Sequence, residues 1–152
     1  LHIRAKNCRY CVHDEKDSTT DAYHHAYINC DMYIDNSNNP DWSSKQCIGG
    51  GLGKDGYIEV VGCSFETVTD NADESAFSWH NCGSSATAKS RLNIRDNYVK
   101  KGTFLLSWIG TTTAITKAYV CGNSFTAQPK HQSGGGSVEN TELISWNNEI
   151  RV

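Results

Sequence analysis

One eight-residue pattern recurs six times along this chain, and that recurrence limits the folds open to it more than any other feature. Ile58-Glu59-Val60-Val61-Gly62-Cys63-Ser64-Phe65 shows it most plainly: apolar, any residue, apolar or small, any residue, turn-forming, then Cys, Asn or Asp, any residue, and an aromatic or aliphatic residue. Residues 3–10, 26–33, 92–99, 118–125 and 143–150 follow the same order. The Cys/Asn/Asp position falls at Cys8, Asp31, Cys63, Asn97, Asn123 and Asn148, so the intervals are 23, 32, 34, 26 and 25 residues. Intervals of ~22 to 26 residues suit one coil of a parallel β-helix, and the two longer ones suit a coil with an extended loop.

The physical reason is stacking. In such a fold Ile3, Ala26, Ile58, Leu92, Ala118 and Leu143 lie about 4.8 Å apart in one interior column, and Tyr10, Tyr33, Phe65, Val99, Phe125 and Ile150 form another. Asn and Asp suit the bend between the columns, because they tolerate left-handed backbone and bond nearby main chain, and stacked Asn side chains bond one another. A β-sandwich is the competing fold, but its strands usually lie about 8 to 12 residues apart. Each coil is also expected to carry a second strand. His25 follows Cys8 by 17 residues and His80 follows Cys63 by 17, which makes residues 22–25 and 77–80 equivalent strands two coils apart, with residues 106–109 as the next copy. Alternation then turns Phe77, Trp79, Leu106 and Trp108 inward and Ser78, His80 and Ser107 outward.

Composition narrows the partners. The chain is 38% hydrophobic, with 14 basic against 17 acidic residues and a net charge of -3. That fits a single all-β domain over residues 1–152. Basic residues form no run longer than Lys100-Lys101, so no nucleic acid partner is expected. No apolar stretch approaches the ~20 residues of a membrane helix, so no membrane insertion is expected. The start, Leu1-His2-Ile3-Arg4, lacks a signal-peptide pattern and a Met, and reads as part of a fragment of a longer chain. Seven cysteines cannot all pair within the chain, which favours folding in a reducing cytosol even if the finished protein works outside a cell.

The repeated apolar-x-Val-x-Gly/Asn-Cys/Asn-x-Phe coils, the Ser78-Trp79-His80 segment and the glycine-rich residues 49–56 resemble the right-handed parallel β-helices of the pectate-lyase-like superfamily. Within it, the chain is most similar to bacteriophage tailspike and appendage proteins. The resemblance implies a right-handed parallel β-helix of about six coils that recognises, and in some members cleaves, host surface polysaccharide. It also implies a homotrimer or other virion chains as partners, and a virion or extracellular location after assembly in a bacterial cytoplasm. Open ends without an evident cap point the same way, since unpaired backbone there calls for further chains. A non-catalytic structural virion component is the remaining alternative.

Three kinds of chemistry are candidates. Glycoside hydrolysis needs two carboxylates ~5 to 9.5 Å apart, and Asp41 and Asp73 each follow their bend residue by ten positions, with Glu74 beside the second. Sugar binding needs aromatic platforms with polar neighbours, for which Tyr23, His25, Trp42, Ser78 and His80 are the candidates. A lyase would draw its base from Lys89, Arg91 or Arg95, but no acidic trio for calcium can be placed beside them. No metal or cofactor is expected. Cys8-x-x-Cys11 with His24 or His25 and Cys30 imitates a zinc set, but on one strand Cys8 and Cys11 face opposite sides. Residues 49–55 lack the spacing of a phosphate loop and are read as a glycine-rich turn, and residues 128–137 as a flexible loop.

Overall fold

The computed structural model describes residues 1–15, 24–35, 45–52, 56–68, 74–81, 89–101, 103–108, 115–126, 130–133 and 141–151. These form strands and no helix. The first circuit of the chain supplies β1 (His2–Lys6), β2 (Tyr10–Glu15) and β3 (His24–Ile28), and the second supplies β4 (Asp31–Asp35), β5 (Lys45–Leu52) and β6 (Tyr57–Val61). The third gives β7 (Ser64–Glu66), β8 (Glu74–Asn81) and β9 (Lys89–Arg95), and the fourth β10 (Tyr98–Lys101), β11 (Thr103–Trp108) and β12 (Ile115–Cys121). Then follow β13 (Ser124–Phe125), β14 (Lys130–Ser133), β15 (Thr141–Trp146) and β16 (Glu149–Ile150).

Every third strand joins the same sheet. The first sheet runs β1-β4-β7-β10-β13-β16, the second β2-β5-β8-β11-β14 and the third β3-β6-β9-β12-β15. All the recorded pairings are parallel, which requires a long connection between neighbours in a sheet. The core lies on the inward face of each sheet. Ile58, Leu92 and Ala118 stack in register, as do Val60, Ile94 and Val120, and all six are fully buried.

The bend between third and first sheets explains the repeat. Asn29, Gly62, Asp96, Gly122 and Asn147 all have left-handed backbone, with φ from 51° to 64°. Glycine alternates with Asn or Asp for a steric reason. A Cβ on Gly122 would come 2.5 Å from Asp96 Oδ1, and one on Gly62 equally close to Asn29 Oδ1, so each side chain occupies the space its glycine neighbour leaves. The next residue points inward and builds a ladder. Asn97 Oδ1 accepts from Cys63 N at 2.8 Å, Asn123 Oδ1 from Asn97 N at 3.0 Å, and Asn148 Oδ1 from Asn123 N at 3.0 Å. Each amide also donates backwards, Asn97 Nδ2 to the Val60 carbonyl and Asn123 Nδ2 to that of Ile94. Cys63 performs both roles with one sulfur: it accepts from Cys30 N at 3.4 Å and donates to the Tyr27 carbonyl at 3.3 Å. That is why Cys and Asn interchange here.

Several expectations need correction. The left-handed residue is the one before Cys63, Asn97, Asn123 and Asn148, and in the second circuit the inward bend residue is Cys30 rather than Asp31. Ile3 does not stack over Ala26. It pairs with Met32 in the first sheet, whose interior column is Ile3, Met32, Phe65, Val99, Phe125 and Ile150, so Tyr33 faces out and Tyr10 belongs to the second sheet. His25, not Ala26, pairs with Ile58, because His25 and Tyr27 turn toward the buried Asp14 carboxylate and so set the phase of β3. His25 and His80 are not equivalent, since β3 lies in the third sheet and β8 in the second. Phe104, rather than Leu106, pairs with Phe77. Gly49, Gly50 and Gly51 are within β5 rather than in a turn, and a Cβ on Gly49 would collide with the Tyr10 ring. Residues 130–133, read as flexible loop, form β14 against β11.

Candidate functional site

The outward face of the third sheet is built by simple alternation. In β9, Leu92 and Ile94 are buried, which turns Arg91, Asn93 and Arg95 to the outside. In β12, Ala118 and Val120 point in, so Tyr119 and Cys121 point out. Parallel register then sets rows across the sheet. Tyr57 lies beside Arg91, Asn93 beside Tyr119, and Arg95 beside Cys121, which in turn neighbours Trp146. Together with Gly56 these residues line an open groove of about 660 Å³.

Polar contacts organise this groove. Asn93 Nδ2 donates to Tyr57 Oη at 3.3 Å and lies 3.5 Å from Glu59 Oε2, while Glu59 Oε1 is 2.7 Å from His24 Nε2. The His24 ring stacks on Tyr57 with centroids 4.8 Å apart, which fixes the Tyr57 ring beside Arg91. Arg95 Nη1 lies 3.0 Å from Asp96 Oδ2. Arg91 has no ion-pair partner among the described residues. Trp146 is 46% exposed, a large aromatic surface left open to solvent. Burial raises the Cys121 thiol above its usual range, and the charge of Asp96 adds to this.

A second constellation lies where β2 meets β3. Asp14 is buried, and its carboxylate accepts from Tyr27 Oη at 2.7 Å and lies 2.7 and 2.8 Å from His25 Nδ1. Three polar side chains satisfied by one another at the edge of the core are a structural arrangement first.

Of the candidate residues named from sequence, the structure describes Glu74, Ser78 and His80 in the second sheet and His25 in the third. Asp41, Asp73, Tyr23 and Trp42 lie outside the described residues. Glu74 opens β8 opposite Lys45, Ser78 pairs with Gly49 and Leu105, and His80 with Gly51, all in the second sheet. His25 is in the third sheet and bonded to Asp14. Arg91 and Arg95, considered only as lyase bases, do share a groove, and the carboxylates beside it are Glu59, against Asn93, and Asp96, against Arg95. Tyr57, Asn93, Tyr119 and Trp146 were missed. For Asn93 the signal was available in the polar-apolar alternation Arg91-Leu92-Asn93-Ile94-Arg95, while Tyr57, Tyr119 and Trp146 join it only through strand register.

The cysteines of the zinc-like set bond to backbone carbonyls. Cys8 Sγ donates to the Lys6 carbonyl and Cys11 Sγ to that of Tyr33, and among the described residues no three metal-ligating side chains gather. Six described cysteines are free thiols. Cys11 and Cys47 contact each other, which lowers the Cys11 thiol and raises the more deeply buried Cys47 well above the usual range. Burial pushes Cys63 up to about 11, so this ladder thiol stays a protonated donor.

No family model, no curated protein and no solved structure matches this chain.

Proposed function

We propose that this chain is a right-handed parallel β-helix of the bacteriophage tailspike or appendage type, and that it recognises host surface polysaccharide through the outward face of its third sheet. The observation that carries the reading is the groove of about 660 Å³, in which Tyr57, Tyr119 and Trp146 alternate with Arg91, Asn93 and Arg95. Sugar rings lie their apolar faces on aromatic side chains while their hydroxyls bond to amides and guanidinium groups. A rigid sheet suits this task, since the side chains are held at fixed register and little ordering is lost on binding. The handedness follows the general rule for crossovers between parallel strands, which are right-handed in about 98% of cases. Partner chains, either a homotrimer or other virion components, belong to the same reading.

The test is incubation with a panel of bacterial surface and plant polysaccharides, reading bound protein and released oligosaccharide in the same tubes. Binding without release is expected. Release would make the chain a depolymerase, and silence in both channels would favour a structural virion part. A monomeric mass by light scattering at micromolar concentration would contradict the trimer.

A further inference from the structure

We infer that the third-sheet groove takes an acidic oligosaccharide, with Arg91 and Arg95 holding anionic groups carried on two different sugar residues. This rests on the glycan-recognition reading and specifies its ligand class.

Arg91 and Arg95 are four residues apart on one strand and share its outward face. Four strand residues span about 13 Å, too far for one carboxylate or phosphate to bridge both guanidinium bases. Two anions on separate residues of a chain match that spacing, and a single acidic sugar does not. Between them lies Asn93, whose Nδ2 is held by Tyr57 and Glu59 while its Oδ1 can accept from a hydroxyl, and whose row neighbour Tyr119 supplies a ring face. The charge balance agrees. Two guanidinium groups line the groove, with Glu59 beside Asn93 and bonded to His24, and Asp96 beside Arg95, which leaves Arg91 as the cation without an ion-pair partner among the described residues. An uncompensated guanidinium on a chain of net charge -3 attracts an anionic group to that point rather than to the whole surface.

The two arginines are not equal. Arg95 is already 3.0 Å from Asp96 and must exchange that partner, whereas Arg91 has no ion-pair partner among the described residues. Arg91 therefore carries the larger share of the selectivity. Cys121, beside Arg95 and Trp146 in the same groove, provides a local reporter of occupancy, with the exposed Cys8 as reference.

The experiment compares polygalacturonate, alginate, hyaluronan and polysialic acid with their carboxyl-reduced counterparts. It measures affinity at low and high salt, and Cys121 alkylation by peptide mass spectrometry. The expected result is that at least one acidic polymer binds about tenfold or more tighter than its reduced form, loses affinity with salt and protects Cys121 but not Cys8. Arg91→Gln should abolish most of that preference and Arg95→Gln less, with both variants keeping the wild-type circular dichroism spectrum. If reduced polymers bind equally well and protect Cys121, and Arg91→Gln changes nothing, the acidic class is wrong while the glycan groove survives. If acidic polymers bind without protecting Cys121, the site is wrong. If no polymer of either kind binds, the glycan reading falls, and the acidic class with it.

Discussion

Asn97→Ala is expected to destabilise the protein by about 2–6 kcal/mol, because it strands the Cys63 N–H and the Val60 carbonyl, each worth about 1–3 kcal/mol when buried without a partner. Asn97 is 2% exposed, so the two stranded groups do not face bulk solvent. For a chain of this size the melting temperature should fall on the order of 10 °C. Cys63→Asn is the informative counterpart. Its amide can accept from Cys30 N and donate to the Tyr27 carbonyl, the two contacts the sulfur now makes, so stability should hold or rise by about 1 kcal/mol. Thermal and denaturant unfolding measure both. A change under about 0.5 kcal/mol for Asn97→Ala would mean that the ladder does not form.

The second large effect concerns the first-sheet column. Phe65 is fully buried between Met32 and Val99, and Phe65→Ala should cost about 3–5 kcal/mol through lost transfer energy and the cavity left behind. Met32→Ala and Tyr33→Ala distinguish the observed register from its one-residue alternative. Met32 is fully buried, so its truncation should cost about 2–5 kcal/mol. Tyr33 faces outward with the Arg4 guanidinium 5.4 Å from its ring centroid, and its loss should cost about 1 kcal/mol. The reverse ranking in chemical denaturation would place Tyr33 in the core and shift the second circuit by one residue.

That one-residue shift shows where sequence reading works. Ile58, Leu92, Ala118 and Leu143 were aligned correctly from their pattern, and they do stack in register. There, apolar periodicity and bend chemistry agree. In the first two circuits they conflict. Ala26 and Ile28 look like the inward pair, yet Ile28 is 57% exposed, because His25 and Tyr27 bond the buried Asp14 and so set the opposite phase. A hydrogen-bonded polar cluster overrode hydrophobic alternation, and nothing in the spacing of single residues reports such a cluster. Asn7-Cys8 misled for another reason: Asn7 also has left-handed backbone, but it follows β1 in the first sheet, a different corner of the circuit.

The groove was only half legible. Its arginines stood out as chemistry, whereas Asp41, Asp73 and Trp42, the candidates from acidic loops and isolated aromatics, lie outside the described residues. Flat outward positions on a buried strand carry no motif. Only the register of β6, β9, β12 and β15 puts Tyr57 beside Arg91, and Trp146 two rungs from Arg95.

The most direct test of the account is amide hydrogen exchange with and without the tightest-binding polysaccharide of the panel. Slowed exchange confined to peptides covering residues 56–61, 89–95, 115–121 and 141–146 is the predicted result. Protection over residues 74–81 and 103–108 instead would put the glycan on the second sheet and contradict it.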